Sequence, residues 1–121
     1  MLTLNSRVLG YVAVLVLMSI SFGALSSEVL IFNITLKNHA FVPEEIIVPR
    51  DTKVQLVIDN QDAEPEEFDS FDLNREKVIF PRRKARLFIG PLQPGKYEFF
   101  GEFHPDTARG RVIVKEAPDA N

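Results

Sequence analysis

The sequence predicts an all-β Greek-key sandwich or barrel, and three observations carry that expectation. First, Leu30, Phe32, Ile34 and Leu36 alternate with Ile31, Asn33, Thr35 and Lys37, and Val54, Leu56 and Ile58 repeat the pattern. A period of two buries one face of a strand. Second, Pro43, Pro49, Pro81, Pro91, Pro94 and Pro105 punctuate short apolar runs, and no sustained 3.6-residue period intervenes. Third, Leu92-x-Pro94-Gly95-x-Tyr97 has the form of a tyrosine corner, in which a hydroxyl bonds back to the preceding turn and locks a crossing between sheets.

The chain has 121 residues, and its beginning differs in character from the rest. Arg7 precedes the apolar stretch Val8 to Phe22, and Ala24-Leu25-Ser26 supplies small residues at an exit site. This pattern reads as a cleaved secretory signal, helical while intact, over residues 1–26. An apolar run of about fifteen residues is short for a bilayer span, which sets the alternative, an uncleaved N-terminal membrane anchor, second. A domain over 27–116 and a polar tail over 117–121 complete the division, and the expected location is periplasmic. The chain has no cysteine, so neither lipidation of a thiol nor a disulfide is available. About 95 residues must then hold one core by packing alone.

Further strands are expected at Ile46 to Val48, Lys84 to Ile89, Lys96 to Phe100 and Arg111 to Lys115. The stretch Asp62 to Pro81 reads as too polar and irregular for core strand, and is expected to be a long surface excursion. The net charge of −3, with signs mixed along the chain, gives no basis for nucleic-acid binding. Nucleophile motifs, Gly-rich phosphate loops and zinc-protease helices are absent, and so few residues hardly provide a sugar cleft. These absences make an enzyme the less expected class. Arg82-Arg83-Lys84 with Arg86 forms a basic cluster that suits either a blunted strand edge or a docking patch.

Several segments together resemble the cupredoxin family over nearly all of 27–116. Phe41-x-Pro43 followed by Ile46-x-Val48 resembles the first hairpin of that fold, and Val54-x-Leu56-x-Ile58-x-Asn60 the strand leading to the first ligand loop. Tyr97-Glu98-Phe99-Phe100-Gly101-Glu102-Phe103-His104, with Gly110-Arg111-Val112-Ile113-Val114, is similar to the Y-x-F-x-C-x-x-H segment and closing strand of blue-copper proteins. The ligands depart from that pattern. Gly101 stands at the cysteine position, Arg109 near the methionine position, and Glu66 or Glu67 at the upstream histidine position. Without a thiolate, a type 1 blue-copper site is excluded.

The residues that the resemblance gathers at one end of the sandwich are His104, Glu102, Glu66, Glu67, His39 and Glu76. Imidazoles with carboxylates suit copper(II), iron, manganese or zinc better than copper(I). On an extended chain Glu66 shares the face of Phe68, which favours it over Glu67, unless a bulge re-aims Glu67. The alternative for each acid is an ordinary solvated group, and for His104, which is favoured as a ligand, a hydrogen-bonded histidine under the Pro105 turn. The wording around Pro65-Glu66-Glu67-Phe68 and Gly101-Glu102-Phe103-His104-Pro105 is similar to the small EfeO-type cupredoxin-like proteins found with bacterial iron permeases. That resemblance implies a periplasmic protein binding copper or iron in ferrous-iron uptake, with an inner-membrane iron permease or an electron-transfer partner. The competing class is a metal-free structural or adaptor domain for such a permease, favoured if Glu102 and His104 face apart.

Overall fold

A computed structural model describes Gly23 and residues 29–116. The expected signal helix, its membrane-anchor alternative and the polar tail therefore lie outside the described residues. Within them the chain forms nine strands and no helix. They are β1 (Leu30–Lys37), β2 (Ala40–Val42), β3 (Glu45–Val48), β4 (Val54–Asn60), β5 (Glu66–Ser70), β6 (Arg75–Ile79), β7 (Lys84–Ile89), β8 (Gly95–Gly101) and β9 (Arg109–Val114). One sheet has the order β2-β1-β4-β7 and the other β3-β9-β8-β5-β6. The chain changes sheet repeatedly, as a Greek-key sandwich requires.

The alternation expected of β1 and β4 is what fills the core. Ile34, Leu36, Val54, Leu56 and Ile58 are almost wholly buried, and Phe41, Phe68 and Phe99 form the aromatic centre between the sheets. Phe41 meets Phe99 edge-on, with ring centroids 5.3 Å apart. Full burial of each ring stabilises the fold by up to about 3 kcal/mol. Tyr97 donates its hydroxyl hydrogen to the Gln93 carbonyl at 2.7 Å, so the corner before β8 is closed as its sequence form requires.

Two expectations need correction. The segment Asp62 to Pro81 is not an excursion: it contains β5 and β6, and β5 lies between β6 and β8 in the five-stranded sheet. Of its buried polar residues, Glu66 and Ser70 are satisfied by partners. Ser70, for example, donates from its hydroxyl to the Glu98 carbonyl at 2.6 Å and accepts from the Leu73 N–H. Phe41-x-Pro43 and Ile46-x-Val48 do not form a hairpin with each other either. β2 pairs with β1, whereas β3 crosses to the other sheet and pairs in parallel with β9.

Pairing register places three loops at one end of the sandwich. β1 and β4 run parallel, with Leu36 opposite Asn60, so the β1–β2 turn and the β4–β5 loop leave together. β5 and β8 run antiparallel with Phe68 opposite Gly101, which brings Glu66 under the start of the β8–β9 loop.

Candidate metal centre

His39 is presented by a turn of two consecutive left-handed residues. Asn38 and His39 both have left-handed backbone, with φ of 52° and 58°, a conformation that strains residues carrying a Cβ. The Asp62 carboxylate stabilises it by accepting the Asn38 N–H at 2.8 Å and the His39 N–H at 2.9 Å. Burial works to raise the Asp62 pKa. The two backbone N–H bonds, with the charges of His39 and Arg82, outweigh it and hold the carboxyl below its ordinary value of 3.8.

Glu64 is carried by the β4–β5 loop, which the buried Asn60 amide pins from beneath. Asn60 donates to the carbonyls of Glu64 at 2.8 Å and Ile79 at 3.1 Å, while its own carbonyl oxygen accepts the Asp62 N–H. His104 lies in the β8–β9 loop, closed by the Ala108 N–H donating to the His104 carbonyl at 2.9 Å.

Glu66 is 1% exposed and lies beneath His104. Its Oε1 accepts the N–H groups of Glu67 at 2.9 Å and Phe103 at 2.8 Å, and its Oε2 is 2.8 Å from His104 Nδ1. A carboxylate cannot donate, so Nδ1 carries the proton and donates to Oε2. That leaves Nε2 as the free acceptor, directed to the rim, 3.5 Å from Glu64 Oε2. His39 Nε2 is 3.9 Å from the same oxygen. One ligand atom from each of His39, Glu64 and His104 lies within 4.8 Å of the other two, the single such cluster of three or more among the described residues.

Two imidazole nitrogens and a carboxylate oxygen fit a borderline divalent transition metal, and a carboxylate behind the second ring nitrogen is the usual support of a metal-binding histidine. They do not fit type 1 copper, because the chain has no cysteine. His39 and His104 are also stacked, with ring centroids 3.6 Å apart and planes 16° from parallel.

Of the residues singled out in the sequence, His39 and His104 come together here. Glu66 stands behind His104, on the inner side with Phe68, and no bulge re-aims Glu67. Glu67, Glu76 and Glu102 are outside the cluster. Glu67 and Glu76 lie on the opposite face of the sheet, and the Glu102 N–H donates to the Glu67 carbonyl at 2.9 Å. The Glu67 carboxyl is raised above its ordinary 4.5, first by desolvation and then by the charges of Glu76, Asp69, Glu102 and Glu66. Glu64 was missed because an acid beside a proline in a polar loop looks like solvated surface. Its two-residue spacing from Glu66 was the available signal.

Residues 10–114 match the family model of the cupredoxin-like domain. The chain belongs to that family. A relative in Rickettsia prowazekii (strain Madrid E), the "Uncharacterized protein RP394", is 47% identical over 91 residues, covering 75% of this cupredoxin-like chain and 73% of the relative. Among solved structures, auracyanin A, a "blue" copper protein of Chloroflexus aurantiacus, is similar with a TM-score of 0.63 and 12% identity, covering 73% of this chain and all of the other. The metal-binding domain of the Cu(I)-exporting P-type ATPase CopA of Streptococcus pneumoniae D39 has a TM-score of 0.61 and 14% identity, covering 71% of this chain and 85% of that one. Amicyanin of Paracoccus versutus has a TM-score of 0.55 and 16% identity, covering 74% and 83%. At such identities these likenesses show the fold.

Proposed function

We propose that this cupredoxin-like chain is an exported, periplasmic metal-binding protein that holds copper(II) or iron between His39, Glu64 and His104, and serves ferrous-iron uptake. The observation that carries the metal reading is the His104 ring, fixed by buried Glu66 through Nδ1 with Nε2 left free beside Glu64. A buried carboxylate that holds the proton on Nδ1 and leaves Nε2 facing the rim is the usual support of a metal-binding histidine. The site lacks sulfur, so it suits copper(II) or iron rather than copper(I). The iron-uptake role and the permease partner rest on the resemblance to EfeO-type proteins, and the location rests on the apolar N-terminal segment.

One observation favours the second reading, a metal-free adaptor for a membrane permease. Glu102 makes no ion pair with His104 among the described residues, and the two imidazoles pack face to face. Glu64 supplies the carboxylate that Glu102 does not, so the metal reading stands first.

Calorimetric titration of the metal-stripped full chain with copper(II) separates the two. The parent is expected to take up about one equivalent at this site. His104→Ala and His39→Ala should each lose at least about tenfold in affinity, or about 1.4 kcal/mol. A parent that binds no metal, or variants that bind equally well, would overturn the metal site in favour of the adaptor.

A further inference from the structure

The two sheets differ in charge, although the chain as a whole carries −3. Among the described residues, the strands β2, β1, β4 and β7 hold one acid, Asp59, against Lys37, Lys84 and Arg86. Lys53, directly before β4, joins them, its ammonium 4.6 Å from the centroid of the Phe88 ring. These four cations are exposed next to buried core residues, so they stand on the outer face of this sheet. Asp59 faces Lys84 across the β4–β7 pair and offsets one of the charges. The lysine and arginine ion pairs among the described residues, Arg50 with Asp51 and Arg111 with Glu45, lie elsewhere. In the other sheet β5 alone carries Glu66, Glu67 and Asp69.

The cationic face also exposes apolar side chains at both of its ends. Ile31 and Phe88 flank Gln55 in one row across β1, β4 and β7, and Val42 stands opposite Thr35 at the other end. All three are exposed. Between them Val57 is buried in the row of Asn33 and Arg86, so the middle of the face is filled rather than hollow. Cations without acid partners, spread along a filled surface with apolar tips among them, match the surface of an anionic bilayer. Ammonium and guanidinium groups reach lipid phosphates, and the apolar tips enter the headgroup boundary. The sequence also puts a bilayer within reach. Seven residues separate Phe22, at the end of the apolar run, from Leu30 at the start of β1. Extended, they span at most about 25 Å.

We propose that the outer face of the β2-β1-β4-β7 sheet docks on an anionic lipid bilayer, through Lys37, Lys53, Lys84 and Arg86, with Ile31 and Phe88 as shallow apolar contacts. The face shares no residue with the His39–Glu64–His104 cluster, and docking stands whether or not that cluster binds metal. His39 follows Lys37 by two residues, which puts the cluster at the margin of the docked face, beside the membrane.

The test is nitrogen-15 NMR of the full chain in bicelles that carry a lipid with a nitroxide on its headgroup. The bilayer is phosphatidylcholine alone, or phosphatidylcholine mixed with anionic phosphatidylglycerol. With phosphatidylglycerol, the amide signals of β1 and β7 should broaden more than those of β8 and β9. With phosphatidylcholine alone the two sheets should broaden alike, because an apolar segment that merely tethers the domain does not distinguish the lipids. In Lys53→Gln/Arg86→Gln the extra broadening of β7 should fall at least about twofold. Lys96→Gln/Lys115→Gln removes the same charge in and beside the strands of the other sheet, and should leave the broadening as in the parent. All four positions are exposed, so the variants keep the core. Equal broadening of both sheets in the anionic bicelles would overturn the bilayer and leave the cationic face to an acidic protein. Undiminished broadening in Lys53→Gln/Arg86→Gln would overturn it as well.

Discussion

The position that a Cβ at Gly101 would occupy lies 2.5 Å from Cδ of Glu66 and 2.8 Å from its Oε2. The space of a side chain at 101 is therefore filled by the carboxylate that orients His104. Residue 101 is the position that resembles the cysteine of the blue-copper pattern, and a side chain there and the Glu66 carboxylate in its present place exclude one another. Gly101→Ala should force Glu66 to move and destabilise the chain by about 1–3 kcal/mol. Because Ala108 Cβ also lies 2.7 Å from that position, relief by a second change will be partial. The double variant Gly101→Ala/Glu66→Ala should nonetheless be more stable than the sum of its single changes predicts, with coupling of at least about 0.5 kcal/mol. Urea unfolding of the four proteins measures it, and strict additivity would contradict the steric account.

The same carboxylate sets which imidazole nitrogen is free. Glu66→Gln keeps the shape of the side chain. To keep accepting the N–H groups of Glu67 and Phe103 through its carbonyl, it must turn its NH₂ towards His104 Nδ1. The ring must then carry its proton on Nε2, facing Glu64. Metal affinity is expected to fall about 10- to 100-fold. Nitrogen-15 shifts of the imidazole should report the exchanged tautomer in the metal-free protein. An unchanged tautomer with unchanged affinity would remove Glu66 from its orienting role.

Much of the fold was legible because it depends on repetition. The alternation in β1 and β4, the proline punctuation and the corner at Tyr97 are local patterns with a single structural outcome. β5 was not legible, because Glu66, Asp69 and Ser70 are polar residues on a buried strand. What buries Glu66 and Ser70 is a partner distant in sequence: His104 for Glu66 and the Glu98 carbonyl for Ser70. The site was half legible for the same reason. His104 and His39 stand out as the only histidines, but Glu64 joins them through Asn60, whose amide ties together residues 64 and 79.

Acid should loosen the turn that presents His39. The Asp62 carboxyl has a lower pKa in the folded chain than in the unfolded one, so the stability it contributes is present above the ordinary value of 3.8 and is lost as pH falls through the depressed folded value. Asp62→Asn should be less stable than the parent at neutral pH by about 1 kcal/mol, since one charged acceptor of two backbone N–H groups is gone. The difference should shrink below pH 3.8 as the parent carboxyl protonates. Urea midpoints of both proteins at neutral pH and at about pH 3 check this. A difference that persists unchanged in acid would mean that shape, rather than charge, holds the turn.

Metal binding at the imidazole pair requires the stack to open. A coordinating ion lies close to the plane of each ring, along its nitrogen lone pair. Rings whose centroids lie 3.6 Å apart, with planes 16° from parallel, do not direct their in-plane lone pairs to one point, so both cannot serve one ion as they stand. His104 is held by buried Glu66 and is 28% exposed, whereas His39 is 36% exposed on a two-residue turn. His39 is therefore the ring expected to rotate. Zinc(II), which is diamagnetic and takes the same borderline ligands, makes the change visible. In the metal-free chain the carbon-bound imidazole protons should be shifted upfield by the neighbouring ring. About one equivalent of zinc(II) should remove most of that shift from His39 and His104 together. Retention of the stacked shifts at full zinc(II) occupancy would place the ion away from this pair, at carboxylates alone.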